Sequence, residues 1–136
     1  MGDTTPDPLA VPTWDPQAIV NVVGQNLPMQ RRLLVKFVQL SEKNLAQMQQ
    51  ALAAGDLAGL CRGAHSLKSS ARTVGAMALG QHCAWLEAAA REGDAAVCQA
   101  EMDGLPHHLG LACRHIQAWL DTGNGAAKPL ANPPPN

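Results

Sequence analysis

The chain has 136 residues, 46% of them hydrophobic but only 3% aromatic, so one core is affordable and it must be built from Ala, Leu, Gln and Met, strong helix formers, rather than from the residues strands prefer. A formal net charge of −1 gives no clustered basic surface for nucleic acid or a membrane face. No apolar run nears the ~20 residues of a bilayer span, and the acidic, Pro-containing start lacks the basic stretch and apolar core of a secretory signal, so a cytoplasmic all-α protein is expected.

Residues 1–13 hold three prolines and few large apolar side chains, and the chain closes on Pro-rich ANPPPN. Both ends read as disordered tails, 1–13 and 122–136, around a folded unit at 14–121. Asp15-Pro16 opens a short helix, with Asp as cap and Pro at the first helical position, and Gly24 closes it. Asn26 and Pro28 start a long second helix. Its inward stripe is expected at Leu33, Phe37, Leu40, Met48 and Leu52, steps of three, four and eight.

Gly55-Asp56 stops that helix and caps the third, which runs to Val74 before Gly75. Leu57, Leu60, Ala64, Leu67, Ala71 and Val74 form its seam, in alternating steps of three and four. A fourth helix, Ala76 to Glu92, turns Leu79, Cys83, Leu86 and Ala90 inward. Gly93-Asp94 repeats the stop-and-cap signal, and a fifth segment reaches about Asp121, where Gly104, Pro106 and Gly110 are expected to kink or split it. Short connections make neighbouring helices antiparallel. The expected fold is an up-and-down four-helix bundle with the short first helix across one end.

His65 does not belong to the third helix's seam. At about 100° per residue it points roughly 130° away from the apolar side, into solvent. Cys61, Arg62, Lys68, Ser69 and Arg72 share its outward arc. A neutral imidazole nitrogen is a good nucleophile near neutral pH, and a phosphoryl group placed on it would bring about two negative charges that cations at i+3 and i+7 can offset. The same pattern also describes an ordinary solvated helix face.

The string AHSLKSSARTVGA at 64–76 resembles the signature of histidine-containing phosphotransfer (HPt) domains, where the phosphorylated His is followed by x-L-K-G-S/A-A and then by an apolar residue and Gly-Ala. His65, Leu67, Lys68, Ser70, Ala71, Val74, Gly75 and Ala76 match. ALAAGDLAGLCRGAHSLK and CAWLEAAAREGD are similar to the family too, and the likeness spans Trp14 to Leu120. It implies His65 as phosphoacceptor through Nε2 with Lys68 stabilising the phosphoryl group, and the i+7 spacing adds Arg72 to that role. Glu87 falls where the family often has Gln or Glu facing the histidine, and is a candidate to accept from Nδ1–H and fix the tautomer; an ordinary exposed helix acid is the alternative. The usual Gly after the Lys is Ser69 here, still small enough for a partner's loops to approach, which puts partner choice in question more than chemistry.

The resemblance also implies a carrier rather than an enzyme, passing a phosphoryl group between response-regulator receiver domains or from a hybrid sensor kinase. No P-loop or Gly-rich strand-to-helix turn is present. No bound cofactor is expected, and Mg²⁺ would come with the receiver. Ile19 and Val22 on the first helix, with Cys61 and Arg62, are the candidates for receiver docking; packing is the alternative role for the first two. A monomer is expected.

Three rival readings stay open: an HPt-like adaptor that binds without phosphotransfer, a metal or cofactor bundle, and an enzyme using His65 as general base. The bundle reading lacks inward Glu-x-x-His pairs. The enzyme reading lacks a cleft and a convincing orienting acid. Cys61, Cys83, Cys98 and Cys113 have no metal-ligand spacing and read as reduced packing residues. His82, His107, His108 and His115 carry no assigned role.

Overall fold

Asp56 and Asp94 each cap a helix by accepting from the backbone N–H three residues on, Gly59 at 2.8 Å and Val97 at 3.1 Å, and Asn26 does the same for Met29. These caps set the starts of three long helices by satisfying donors with no intrahelical partner. The computed structural model describes residues 11–122. Its elements are α1 (Gln17–Val23), α2 (Leu27–Ala53), α3 (Leu57–Val74), α4 (Met77–Glu92) and α5 (Ala95–Asp121), with no strand among the described residues. Helix α2 packs on α3, α3 on α4, α4 on α5 and α5 back on α2, while α1 rests on α2 and α3. This is the antiparallel four-helix bundle with a short additional helix.

The seams of α3 and α4 lie where the spacing places them: Leu60, Ala64, Leu67, Ala71 and Val74 face Leu79, Cys83, Leu86 and Ala90, all buried. Helix α2 is rotated from the expected stripe. Its buried residues are Gln30, Leu34, Phe37, Ser41 and Met48, whereas Leu33 is only half-buried and Leu40 is 51% exposed. Phe37 and Met48 belong to both stripes, so the spacing alone allowed either side of them, with Leu33 and Leu34 about 100° apart on the helix, to turn inward. The register adopted buries two polar side chains, each with a partner: Gln30 Nε2 donates to the Gly24 carbonyl at 2.6 Å and Ser41 Oγ to the Val38 carbonyl at 3.3 Å.

Helix α5 also departs from expectation, running unbroken through Gly104, Pro106 and Gly110. Pro106 lies on the exposed face, so its ring does not enter the core and the helix forgoes only the hydrogen bond to the Met102 carbonyl.

The N-terminal segment enters the fold earlier than residue 14. The Pro12 carbonyl accepts from Ala78 N–H at 3.0 Å, Asp15 N–H donates to the Gly75 carbonyl at 2.8 Å, and Trp14 Nε1 donates to the Val74 carbonyl at 2.8 Å. This strap satisfies the last carbonyls of α3 and an early N–H of α4. At the other boundary Thr122 caps α5. The remainder of both expected tails, 1–10 and 123–136, lies outside the described residues. Gly75 makes the strap possible: its φ is +97°, and a Cβ there would overlap the Asp15 carbonyl.

Two stability measurements follow. Leu34→Ala should cost about 3 kcal/mol in urea unfolding and Leu40→Ala less than about 0.5 kcal/mol; the reverse order would mean that α2 is rotated back. Gly75→Ala should cost about 2 kcal/mol, and a loss within error would show that the strap does not clamp the α3–α4 turn.

Candidate functional site

Helix α3 carries Arg62, Lys68 and Arg72 and no Asp or Glu. Its outward face is therefore cationic, and the nearest carboxylate must come from another helix. That carboxylate is Glu87 of α4, 6% exposed, facing α3 from the seam between the two.

Three side chains converge on it. Lys68 Nζ donates to Oε1 at 2.6 Å, and His65 Nδ1 and Arg91 Nη2 each lie 2.9 Å from Oε2. The Lys68 hydrogen bond is the main reason the Glu87 carboxyl is held down at about 2, with the His65 contact adding to it and burial opposing both. An ionised carboxylate can only accept hydrogen bonds. Nδ1 of His65 must therefore carry the proton, and in the neutral ring the lone pair sits on Nε2. The His65 side chain is 62% exposed, and Nε2, on the far side of the ring from Glu87, is open to a docking partner.

The anchoring is local. Asn44 of α2 donates to the Gly63 carbonyl at 3.1 Å, and a Cβ on Gly63 would meet Met48 Cγ at 2.6 Å, so α2 and α3 approach closely just two residues before His65. On the other side Cys61 Sγ lies 3.6 Å from the Glu87 carbonyl. His65 thus stands on a helix gripped from both flanks just below it.

Of the residues expected at the site, the structure brings His65, Lys68 and Glu87 together. Ser69 is exposed, one turn beyond the imidazole. Arg72 is not brought to His65: it lies about two turns along α3, with its side chain across Gly80 of α4, where a Cβ would meet Arg72 Cγ at 2.9 Å. Arg62 is exposed and forms no ion pair among the described residues.

Two docking candidates are displaced. Ile19 is 1% exposed and belongs to the core, because α1 needs an apolar anchor on the bundle. Cys61 is half-buried and turned to α4, not out along the arc of His65. Val22 remains exposed.

Arg91 was not anticipated. The only signal for it is the Glu87–Arg91 spacing of four on one helix face, common to many solvated pairs. The other cysteines are packing groups; burial pushes the Cys83 thiol up to about 12. His82 and His108 stack with ring centroids 3.7 Å apart, and His82 Nδ1 lies 3.4 Å from Glu101 Oε1.

Comparison with known proteins adds the following. The family model of the Hpt domain matches residues 32–122. The solved structure of histidine-containing phosphotransfer protein B from Pseudomonas aeruginosa is similar with a TM-score of 0.77 and 26% sequence identity, over 83% of this chain and 98% of that one. Comparison with curated proteins gives no match.

Because its carboxyl is lowered in the folded state, Glu87 contributes stability that is fully present above about 4.5 and is lost as pH falls toward about 2. Lys68→Met removes the largest lowering influence and leaves burial in place, so the Glu87 midpoint should rise, read by carbon-13 NMR of the side-chain carboxyl. An unchanged midpoint would show that the Lys68 bond does not hold the carboxylate.

Proposed function

The chain belongs to the Hpt domain family, and from that premise we propose that it carries a phosphoryl group on His65 Nε2, accepting it from a receiver-domain aspartate and passing it to another response regulator. The observation that carries this reading is the exposed imidazole whose Nδ1 faces a buried, ionised Glu87 at 2.9 Å. It supports one tautomer, with the nucleophilic lone pair directed into solvent.

In the proposed step Nε2 attacks the phosphorus of the aspartyl phosphate. The N–P bond forms as the P–O bond to aspartate breaks, and the electron pair leaves with the carboxylate. Attack gives the ring imidazolium character while Nδ1–H is retained. The Glu87 carboxylate lies where that charge develops and stabilises it without having to reorganise. The receiver brings the acyl phosphate together with Mg²⁺. Phosphoryl transfer depends chiefly on in-line positioning and charge neutralisation, so a rigid helix presenting one nitrogen is a sufficient contribution from this chain. The reverse sequence of bond changes returns the group to a second receiver.

Val22 and Arg62, both exposed, are the remaining docking candidates, and Ser69 is the small residue over which a receiver's loops would pass. The reading makes the chain a carrier with no nucleotide chemistry of its own.

The test is incubation with several receiver domains charged with radiolabelled phosphate in the presence of Mg²⁺. Wild-type protein should take up acid-labile, alkali-stable label and His65→Gln none. Equal labelling of the two would remove His65 from the reaction, and no label on wild type from any active receiver would favour an adaptor that binds without transfer.

A further inference from the structure

We propose that the face of α2 turned toward the end of α5 is a docking groove for an acidic amphipathic helix of a partner protein, separate from the face that carries His65. The inference does not depend on the phosphoacceptor reading of His65.

The groove has a volume of about 770 Å³ and is lined chiefly by α2, with the half-buried Trp119 of α5 at its side. Leu27, Val35 and Leu40 reach solvent there, three of the five large apolar side chains that do so among the described residues. Exposed apolar area is thus gathered on one surface rather than scattered. Helices α2 and α5 also make the slackest pairing in the ring of four, which leaves this seam open.

The charge pattern gives the partner's chemistry. The net charge of −1 hides a local excess: Arg31, Arg32 and Lys36 line the groove, and no Asp or Glu does. None of the three forms an ion pair among the described residues, although Arg31 donates to the Leu120 carbonyl. Arg32 and Lys36 stand one turn apart, a like-charge spacing that destabilises a helix. Carboxylates brought by a partner would relieve that repulsion and steer the approach.

Backbone chemistry selects a helix as the occupant. From Leu27 to Leu40 the groove runs ~20 Å along α2. Both walls are α-helices, so an extended peptide would lose water from its backbone and find no ladder to join. A helix arrives with those groups satisfied and lays apolar residues spaced three and four apart into the groove. A bilayer would need a continuous apolar face, whereas here the cations interrupt the apolar residues along α2.

The groove is remote from His65. In the ring of helices the α2–α5 seam lies opposite the α3–α4 seam, into which Nδ1 of His65 is turned. His65 also stands near the level of Asn44, which bonds the Gly63 carbonyl, ~14 Å along α2 from Val35. A partner in the groove therefore leaves the imidazole open, and can hold the chain in place while a receiver domain meets His65.

The experiment is a titration of the full chain against a fluorescent peptide of about 16 residues, with Leu at three- and four-residue spacing and Glu between. A second peptide carries Lys for Glu. The Glu peptide should bind wild type and the Lys peptide should not. Arg32→Glu and Val35→Asp should each weaken binding about tenfold. Arg114→Glu, which reverses an exposed cation of α5 outside the groove, should change it less than about twofold. A receiver domain should not displace the peptide, and Arg32→Glu should take up label from a charged receiver as wild type does. Circular dichroism checks that each variant is folded, and Arg32→Glu decides alone if Val35→Asp is not.

Absence of binding, or an equal loss in Arg114→Glu, would overturn the proposal. So would displacement by a receiver domain, which would make the groove part of the phosphotransfer face. Binding to phosphatidylglycerol vesicles but not to the peptide would overturn it in favour of a membrane surface. Self-association of wild type that is lost in Val35→Asp would replace the partner with a second copy of this chain.

Discussion

Taking a carboxylate out of water costs several kcal/mol unless donors replace its hydration, and Glu87 meets that condition with three donors from two helices. His65 and Lys68 come from successive turns of α3, and Arg91 from the next turn of α4. The arrangement therefore depends on the rotation and height of α3 against α4. A shift of one residue along either helix would turn a donor about 100° away and leave a charge buried without a partner. The geometry of the imidazole is in this sense a consequence of helix packing.

What holds α3 against α4 lies mostly away from His65. The shared apolar seam fixes the faces, and the strap of residues 12–15 closes the end where α3 stops and α4 begins. The strap bonds to the Val74 and Gly75 carbonyls and to Ala78 N–H, groups that helix ends otherwise leave to water. Trp14 then packs edge-to-face on Trp119 of α5, ring centroids 6.4 Å apart, which ties the same end to a third helix. On the opposite flank, Asn44 and the bare surface of Gly63 let α2 come close. Helix α3 is thus restrained by its neighbours at both levels, while the face carrying His65 is left open.

The polar residues inside the bundle follow one rule. Gln30, Ser41 and Glu87 are buried, and each has a hydrogen-bond partner, as an interior of low dielectric demands. In α2 these pairings accompany a rotation of the helix. In α3 and α4 they orient the exposed imidazole of His65. The difference lies in what the partner is: a backbone carbonyl for Gln30 and Ser41, and for Glu87 a set of titratable and cationic side chains, two of which, His65 and Arg91, reach the surface.

Local sequence determined the order of the helices and most of their ends, though not the continuity of α5 through Pro106, because caps, stop glycines and the three-and-four spacing of apolar residues act within a turn or two of the residues that carry them. It also placed His65 on the outward face of α3, since that depends only on helical angle, and the HSLK string pointed to the family. The rest required two helices at once. Leu33 and Leu34 are equivalent inward residues, and Leu40 is the better one beside Ser41, until α3 and α5 are packed on α2. Ile19 is a surface residue of a short helix until α1 meets the bundle. Glu87 is an ordinary helical acid in the sequence, and Lys68 an ordinary outward cation. Only the approach of α3 to α4 buries the one, binds the other to it, and excludes Arg72. A charge finds its partner across the space between helices, and one-dimensional spacing holds no measure of that distance.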